Sequence, residues 1–433
     1  MFNSVGKRVT RYDGIGHVTG KTRYVSDIKM PGTLVAKTLR SPYHRAKINS
    51  IDVTEAKKVK GVYAVITKDD LKHNLFSMGG DHHVLVDEIV RYKGQNIAAV
   101  AAVDKATALL ALSKIKLDIE ELPCVLDPEE AIKEGAVQVR PEGNNFTFED
   151  GTFFRKIRRG DVEAGFAKAD HIVEGRYTTP AQEHAPLETT ASLAYVDGAG
   201  VLNLHSKSQG IYFTLGDLMN LFGLPRNKLR IIGGTIGGGF GALNSVHTDH
   251  IAGLLALKTG KPVSFVLTRE EEMMYSTVRS PWIFHIKDGV TKDGVIIARE
   301  MNILHDCGAY TELGLYAVEK NASLVGGANL IENLAINSRM VYTNKMPSGS
   351  MRGFGVNVGQ YAEQVQVDRL AKAIGMKPIE IRMINAFREG DKNHTGNELV
   401  AISTIETLQR AAKLAGYDLP AEYAAMSSKE GRV

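Results

Sequence analysis

Apolar residues in the first third of the chain form short continuous runs that alternate with stretches of helical spacing. Runs rich in Val, Ile, Leu and Ala are typical of buried strands. They occur at residues 33–39, 61–66 and 96–103. Over residues 105–114 the apolar positions recur at helical spacing behind Asp104, a residue type that caps helix N-termini. The pattern predicts an α/β domain over residues 1–140.

A polar stretch separates these elements from a longer series. Residues 141–160 are polar and contain Gly and Pro among many charged side chains, which predicts an exposed linker. Further strands are predicted at residues 171–177, 202–205, 228–232 and 262–267, and helices at residues 247–258 and 356–374. Near the end, Ser403 and Glu406 predict a helix capping box, and residues 417–433 show no clear element. We expect an α+β fold with its second domain over residues 161–433.

Composition excludes several classes of protein. The 433 residues are 43% hydrophobic and 24% charged, and no apolar run approaches the roughly 18 residues that span a membrane. A net charge of +4, from 53 basic and 49 interspersed acidic residues, argues against a nucleic-acid partner. No apolar segment follows the first basic residues, so no secretory signal is expected. We expect a cytoplasmic protein with no membrane partner.

Cysteine and histidine usage limits the possible metal chemistry. Cys124 and Cys307 have no CxxC spacing, which argues against a disulfide framework, a zinc site or an iron–sulfur cluster within this chain. His247 and His250 lie three residues apart on a predicted helix and could face one metal. Because no third ligand is evident, we predict that they are structural and that the side chains of this chain form no metal site.

Two glycine-rich turns carry the strongest chemical signal. The first glycine turn, Gly237–Gly241, reads Gly-Gly-Gly-Phe-Gly, and the second glycine turn, residues 350–355, reads Ser-Met-Arg-Gly-Phe-Gly. Repeated glycine exposes backbone N–H groups and lets a bulky anionic ligand approach closely. Two such turns predict one large cofactor that carries phosphate.

The first glycine turn also allows a different interpretation. Gly237, Gly239 and Ala242 fit the G-x-G-x-x-[GA] pattern of dinucleotide-binding folds, between a predicted strand and a predicted helix. The acidic residues Glu270–Glu272 follow nearly 30 positions later, where that pattern expects about 20. An NAD-dependent dehydrogenase therefore remains an alternative at this point.

A longer ordered set of motifs resembles the molybdenum hydroxylases of the xanthine oxidase family, in their molybdopterin-binding subunit. The set comprises Ala181–Glu188 (AQEHAPLE), Ser208-Gln209, the two glycine turns and Ile381–Asn385 (IRMIN). Residues 12–27 and 41–46 resemble the family's hammerhead domain. The similarity runs along essentially the whole chain. It implies an α/β hammerhead-like domain followed by a molybdopterin-binding α+β domain, with a second molybdopterin-binding domain on another subunit.

The resemblance implies an oxidoreductase with a molybdenum-molybdopterin cofactor, in the cytosine dinucleotide form. The implied reaction hydroxylates an electron-poor carbon of an aromatic N-heterocycle, nicotinate-like or purine, with water as the oxygen source. Electrons then pass to Fe–S clusters and FAD on partner subunits. The split large subunit resembles that of nicotinate dehydrogenases, in a dimer of heteromers. An aldehyde-oxidising member of the family and a non-catalytic assembly chain are the alternatives.

The resemblance also implies roles for individual residues. The cofactor-binding positions are Gln209, Gly238, Gly239, Phe240, Gly241 and Arg352. Gln209 is the catalytic candidate, because it matches the glutamine whose amide hydrogen-bonds an oxygen ligand of molybdenum. The general-base glutamate is expected on a partner subunit. The substrate-binding positions are Phe354, Lys320 and Asn244.

Three departures from the family pattern concern these positions. Ala242-Leu243-Asn244 replaces the segment that carries a lysine and a glutamate in purine-oxidising members, and Lys320 stands in place of an arginine. Asn357-Val358 replaces a Pro-Gln pair after the second glycine turn. A lysine attracts a carboxylate as a point charge without the bidentate fork of arginine. Xanthine itself is therefore not the expected substrate.

Overall fold

The computed structural model describes residues 3–430, so the first two and last three residues of the predicted domains lie outside it. The strands are β1 Leu34–Arg40, β2 Ala46–Asp52, β3 Val62–Ile66, β4 Leu75–Phe76, β5 His82–His83, β6 Ile89–Val90, β7 Asn96–Ala102, β8 Lys116–Glu121, β9 Arg155–Arg159, β10 His171–Thr179, β11 Ala191–Val196, β12 Leu202–Ser206, β13 Leu229–Gly233, β14 Val263–Val266, β15 Trp282–Val290, β16 Ile296–Gly308 and β17 Asn333–Tyr342. The α-helices are α1 Gly14–Val18, α2 Thr54–Lys58, α3 Lys105–Ser113, α4 Pro128–Ala131, α5 Val162–Phe166, α6 Ile211–Phe222, α7 Asp249–Thr259, α8 Arg269–Tyr275, α9 Gly314–Leu324, α10 Val356–Ala373, α11 Pro378–Asn385, α12 Thr404–Leu414 and α13 Ala421–Ala424.

Most elements with a strong local pattern are confirmed. The predicted strands of the first third are β1, β3 and β7, and α3 follows Asp104, whose side chain accepts from Thr107 N. The capping box at α12 was wrong, because Glu406 instead accepts hydrogen bonds from the Ser427 hydroxyl and Ser428 N. That contact holds Ser427 and Ser428 against α12. Helix α13 forms in the terminal stretch where no element was predicted.

The chain divides into two compact units, each built from two segments. The first unit comprises the chain up to Leu122 together with Glu183–Thr277, and the second comprises Pro123–Gln182 together with the chain from Val278 onward. The predicted linker, residues 141–160, contains β9 within the second unit. Its sequence, Arg-Lys-Ile-Arg-Arg, has a single apolar residue and so gives no local strand signal. It is a strand because it pairs with β17.

The first unit contains a seven-stranded sheet with two apolar faces. Its strand order is β13-β12-β11-β14-β1-β7-β3. All seven residues of β7 are buried, and alternate residues enter different cores, as period-two side-chain alternation requires. Ala99 and Ala101 face the core that α6 and α7 cover, whereas Val100 and Ala102 face the core of α2 and α3. Smaller sheets of β6-β2-β8 and β4-β5 complete the unit.

The second unit contains a five-stranded sheet in the order β10-β15-β16-β17-β9. Helices α9 and α10 pack on it through an apolar cluster that includes Trp282 and Phe284. A buried ion network links α10 to the strands. Arg299 binds Asp288 through two hydrogen bonds of 2.7 and 3.0 Å and Glu363 through one of 2.9 Å. Because burying these charges is costly unless they are paired, the network fixes α10 at one position on the sheet.

Candidate active site

The first glycine turn has a left-handed backbone at three residues. The φ angles are 116° at Gly238, 53° at Phe240 and 110° at Gly241. Glycine adopts these angles freely, whereas a phenylalanine there costs about 1–3 kcal/mol. The Phe240 side chain is 49% exposed, so burial of its ring does little to offset the strain. Strain of this kind at an exposed aromatic residue is typical of ligand-binding turns.

Gln209 is held against this turn with one polar atom unused. Gly241 N donates to Gln209 Oε1 at 2.9 Å, which orients the amide because a backbone N–H can only donate. A Cβ on Gly239 would lie 2.4 Å from that oxygen, so only glycine leaves room for the side chain there. Nε2 has no hydrogen-bond partner among the described residues. It is therefore available to donate to a ligand.

Glu188 holds the other end of the same turn. Its Oε2 accepts from Gly237 N at 2.7 Å and lies 3.6 Å from Lys207 Nζ. Lys207 is 1% exposed, and burial lowers the pKa of its ammonium group. Because this carboxylate contacts the turn and a buried lysine, we interpret it as a positioning group. The sequence motif contained Glu188, but only the structure shows its contact with Gly237.

Asn244 lies close to Gln209 in the first unit. A Cβ on Gly210, the residue after Gln209, would lie 3.2 Å from Asn244 Oδ1. Two histidines follow Asn244, His247 before α7 and His250 within it, and both make hydrogen bonds inside the first unit. His247 Nε2 accepts from Thr277 N at 3.3 Å, and burial lowers the pKa of this histidine to about 3. Among residues 3–430, no group of three His, Cys, Asp or Glu side chains is arranged to hold a metal ion.

The backbone around the first glycine turn does not form the dinucleotide arrangement. A pyrophosphate-binding turn requires a helix to begin at its third small residue. Here Ala242 begins only a short 3-10 turn, Ala242–Asn244, and α7 begins at Asp249. In the sheet, β12 and β11 separate β13 from β14. The NAD-dependent alternative therefore lacks the helix N-terminus that it needs.

The second glycine turn, in the second unit, repeats the left-handed pattern. The φ angles are 92° at Gly353, 49° at Phe354 and 89° at Gly355. Arg279, which is 8% exposed, donates to the Arg352 carbonyl at 2.8 Å. The backbone of this turn is thus fixed by a buried arginine that lies far from it in sequence.

Two asparagines complete the support of the second turn. Arg279 also donates to Asn357 Oδ1 at 2.7 Å, so the residue that departs from the family pattern takes part in the same contact. Asn321, on α9, donates to the Gly355 carbonyl at 2.7 Å. The side chain of Arg352 itself is exposed and has no ion pair among the described residues. It is therefore available to an anion.

An aromatic and basic surface adjoins the second turn. The half-buried ring of Phe354 lies 6.5 Å from the ring of Tyr316, at an interplanar angle of 45°. Lys320 follows Tyr316 by one turn of α9 and so shares its face. Its ammonium is exposed and makes no ion pair with any described residue. No role was predicted for Tyr316, because α9 was not predicted.

The predicted site residues fall into two groups. Gln209, Asn244 and the first glycine turn belong to the first unit, and Arg352, Phe354 and Lys320 belong to the second. Arg279, Glu188 and Tyr316 support these residues, and no role was predicted for them individually. A buried arginine and a partly buried carboxylate give no local signal of what they bind, since their partners lie far along the chain.

Two family models cover most of the chain. The model of the molybdopterin cofactor-binding domain matches residues 143–386. The model of the a/b hammerhead domain of aldehyde oxidase and xanthine dehydrogenase matches residues 19–123. The chain belongs to the aldehyde oxidase and xanthine dehydrogenase family. The predicted family and the predicted fold class, a hammerhead domain followed by a molybdopterin-binding α+β domain, are confirmed. The boundaries at residues 140 and 160 stay a prediction.

Relatives within the aldehyde oxidase and xanthine dehydrogenase family differ in how much of their length this chain covers. The nicotinate dehydrogenase large molybdopterin subunit of Eubacterium barkeri is 33% identical over 96% of this chain and 97% of its own length. A probable xanthine dehydrogenase subunit of Bacillus subtilis is also 33% identical, over 94% of this chain and 55% of that protein. Aldehyde oxidoreductase of Megalodesulfovibrio gigas is 33% identical over 91% of this chain and 44% of that protein. The chain thus spans about half the length of these last two relatives.

Solved structures support the same membership. The aldehyde oxidoreductase of Desulfovibrio gigas has a TM-score of 0.88 at 32% identity, over 94% of this chain and 46% of that one. Quinoline 2-oxidoreductase from Pseudomonas putida 86 has a TM-score of 0.89 at 26% identity, over 96% of this chain and 55% of that one. Members of the family are oxidoreductases, and this chain carries their molybdopterin-binding domain. No helix within residues 3–430 is long and apolar enough to cross a membrane.

Proposed function

We propose that this chain is the molybdopterin-binding subunit of a heteromeric molybdenum hydroxylase. The proposed reaction hydroxylates an electron-poor carbon of an aromatic N-heterocycle, such as a nicotinate-like acid or a purine, with water as the oxygen source. The observation that carries the proposal is Gln209, whose Nε2 is oriented and unpartnered among the described residues. A further support is the nicotinate dehydrogenase subunit, which this chain covers over 97% of its length.

The residues of both glycine turns fit a molybdopterin cofactor. That cofactor, proposed in its cytosine dinucleotide form, supplies the redox chemistry, and the protein binds and orients it. Gln209 donates a hydrogen bond from Nε2 to an acceptor on the cofactor, a role that suits an amide because it does not titrate. The first glycine turn lets the backbone approach closely, since Gly239 has no Cβ to displace Gln209. In the second unit, the unpaired guanidinium of Arg352 balances an anionic group of the cofactor.

Four side chains are proposed to orient the substrate. Phe354 and Tyr316 offer aromatic surface to a flat heterocycle. Lys320 attracts a carboxylate or carbonyl oxygen as a point charge. Asn244 supplies a neutral hydrogen-bonding group. An aromatic surface beside an unpaired cation favours an anionic heterocycle over an aldehyde, which carries no charge for Lys320 to bind.

The general base and the other redox cofactors are proposed to lie on partner subunits. The general base is proposed to be a glutamate of a second molybdopterin-binding subunit, as the family resemblance implies. Fe–S clusters and FAD on further subunits receive the electrons. The assembly is proposed to be a cytoplasmic dimer of such heteromers.

Purification of the native complex tests the proposal. We expect molybdenum and iron by elemental analysis, co-purifying Fe–S, FAD and second molybdopterin-binding chains, and hydroxylation of nicotinate or a purine. Oxygen from H₂¹⁸O should appear in the product. A complex that oxidises aldehydes but not heterocycles would replace the substrate assignment. A single chain without molybdenum or pterin would refute the function.

A further inference from the structure

Strand β9 forms an open edge of the five-stranded sheet in the second unit. Its residues pair with β17, from Arg155 opposite Ser338 to Arg159 opposite Leu334, and no described strand pairs with its other side. Alternate residues of an edge strand direct their N–H and C=O groups away from the neighbouring strand. A strand of five residues offers about 17 Å of such backbone.

A groove of about 510 Å³ runs along this edge. One wall is β9, and the other is the loop of residues 392–396, with Ser323 beside them. Five cationic side chains and no carboxylates line it. The cations are Arg155, Lys156, Arg158, Arg159 and Lys392. A groove with this lining attracts a negatively charged ligand.

Most of this positive charge is not neutralised within the described chain. Arg155 pairs with Glu319 at 2.7 Å, and Lys156 lies 3.7 Å from Asp150. Arg158 instead donates to the carbonyl of Ile336 and to Asn337, both on β17. Lys392 is exposed, and its ammonium has no partner among the described residues.

The loop opposite β9 is held in place by the strand itself. Arg159 donates to the Lys392 carbonyl at 2.7 Å. Asn393 accepts from Thr395 N at 3.0 Å and from Asn397 N at 2.9 Å, which closes the loop as a tight turn. Edge strands often carry lysine or arginine that prevents aggregation. Protection against aggregation would not require the loop of residues 392–396, which forms the second wall of the groove and adds the cation Lys392.

We propose that this groove binds an acidic, extended segment of another subunit of the complex, which adds a strand to the open edge of β9. Backbone hydrogen bonds to the edge provide affinity, and the cations select the acidic partner. The inference rests on the proposed function in assuming a heteromeric complex. It adds the position and the chemistry of one subunit contact.

Hydrogen exchange of the purified complex tests the added strand. Alternate amides of β9 should exchange at least about tenfold more slowly in the complex than in the full chain alone. Strand β10, the other edge of the same sheet, is the internal reference. Equal exchange of β9 in both samples would overturn the proposal.

Charge reversal tests the partner's chemistry. The double variant Lys156→Glu/Lys392→Glu should weaken subunit association at least about tenfold, and added salt should weaken the wild-type complex. The matched control Lys168→Glu/Lys413→Glu changes the same net charge at exposed lysines of the same unit and should have little effect. Equal association of both variants would refute an acidic partner.

Two further outcomes would also overturn the proposal. If inorganic pyrophosphate binds the full chain in a Lys156- and Lys392-dependent manner while β9 stays unprotected in the complex, the groove is a small-anion site. If the complex contains molybdenum and hydroxylates its substrate but β9 is unprotected, the docking proposal alone fails. A chain that purifies alone without molybdenum would refute both the docking proposal and the function.

Discussion

Gly239→Ala is expected to displace the Gln209 side chain while the protein stays folded. Gly239 does not have a positive φ, so alanine adds no backbone strain there. The new Cβ would lie 2.4 Å from Gln209 Oε1 and 2.7 Å from its Cδ, where ordinary contact begins at 3.4 Å. Because Gln209 is exposed, its side chain can move aside, and the buried Leu243, whose Cδ1 would lie 3.1 Å from the new Cβ, needs to shift by only a few tenths of an ångström.

The size of the expected loss follows from that displacement. Oε1 must move by about 1 Å, which breaks its hydrogen bond from Gly241 N, and misplacement on that scale costs about 100-fold in rate. We expect kcat of the purified complex to fall by about this factor. The molybdenum content and the melting temperature should stay near the wild-type values.

A control variant in the same unit isolates the steric effect. Gly216 lies inside α6, and a Cβ added there would have no atom within 4 Å. Gly216→Ala should stabilise the helix by about 0.5–1 kcal/mol and leave kcat unchanged. If Gly239→Ala retains both molybdenum and full kcat, the orientation of Gln209 does not matter for turnover and the reasoning is refuted.

Four other variants test the remaining assignments. Gln209→Ala should lower kcat by about 100- to 1,000-fold, the cost of losing one oriented donor, with unchanged molybdenum content; wild-type kinetics would remove Gln209 from the site. Phe354→Ala should raise KM for aromatic substrates by about 2- to 12-fold, because an aromatic pair contributes about 0.5–1.5 kcal/mol, and a loss confined to kcat would contradict a stacking role. Lys320→Met should raise KM for a carboxylate-bearing heterocycle but not for its uncharged amide, and equal changes for both would exclude charge recognition. Burial raises the pKa of Asp249 from 3.8 to about 6, although two serine hydroxyls donate to it. Its contribution to stability is therefore complete below pH 3.8 and is lost as the pH rises through about 6, so Asp249→Asn should gain up to about 3 kcal/mol over wild type between those limits. Chemical denaturation at both pH values measures this gain, and a difference that does not change with pH would contradict it.

Part of the candidate site could be predicted because its signals are local. A Gly-Phe-Gly sequence exposes backbone wherever it occurs, and ordered motifs around Gln209 and Arg352 resembled a family that the comparisons then confirmed. The dinucleotide pattern at Gly237 was equally local, yet the turn does not lead directly into a helix. Whether a helix begins at the turn depends on how residues 242–248 pack, and α7 begins only at Asp249.

Many strands and helices with a strong hydrophobic period, the two glycine turns and the family could be predicted from the order of residues alone. Steric limits on the backbone and side-chain periodicity act within a few residues, so a linear pattern records them. Long-range packing, in contrast, makes β9 a strand, brings Glu188 to Gly237 and brings Arg279 to the second glycine turn. Each of these contacts joins residues far apart along the chain, and neither partner carries a local signal of the other. Their pairing is fixed only when the sheets and helices pack.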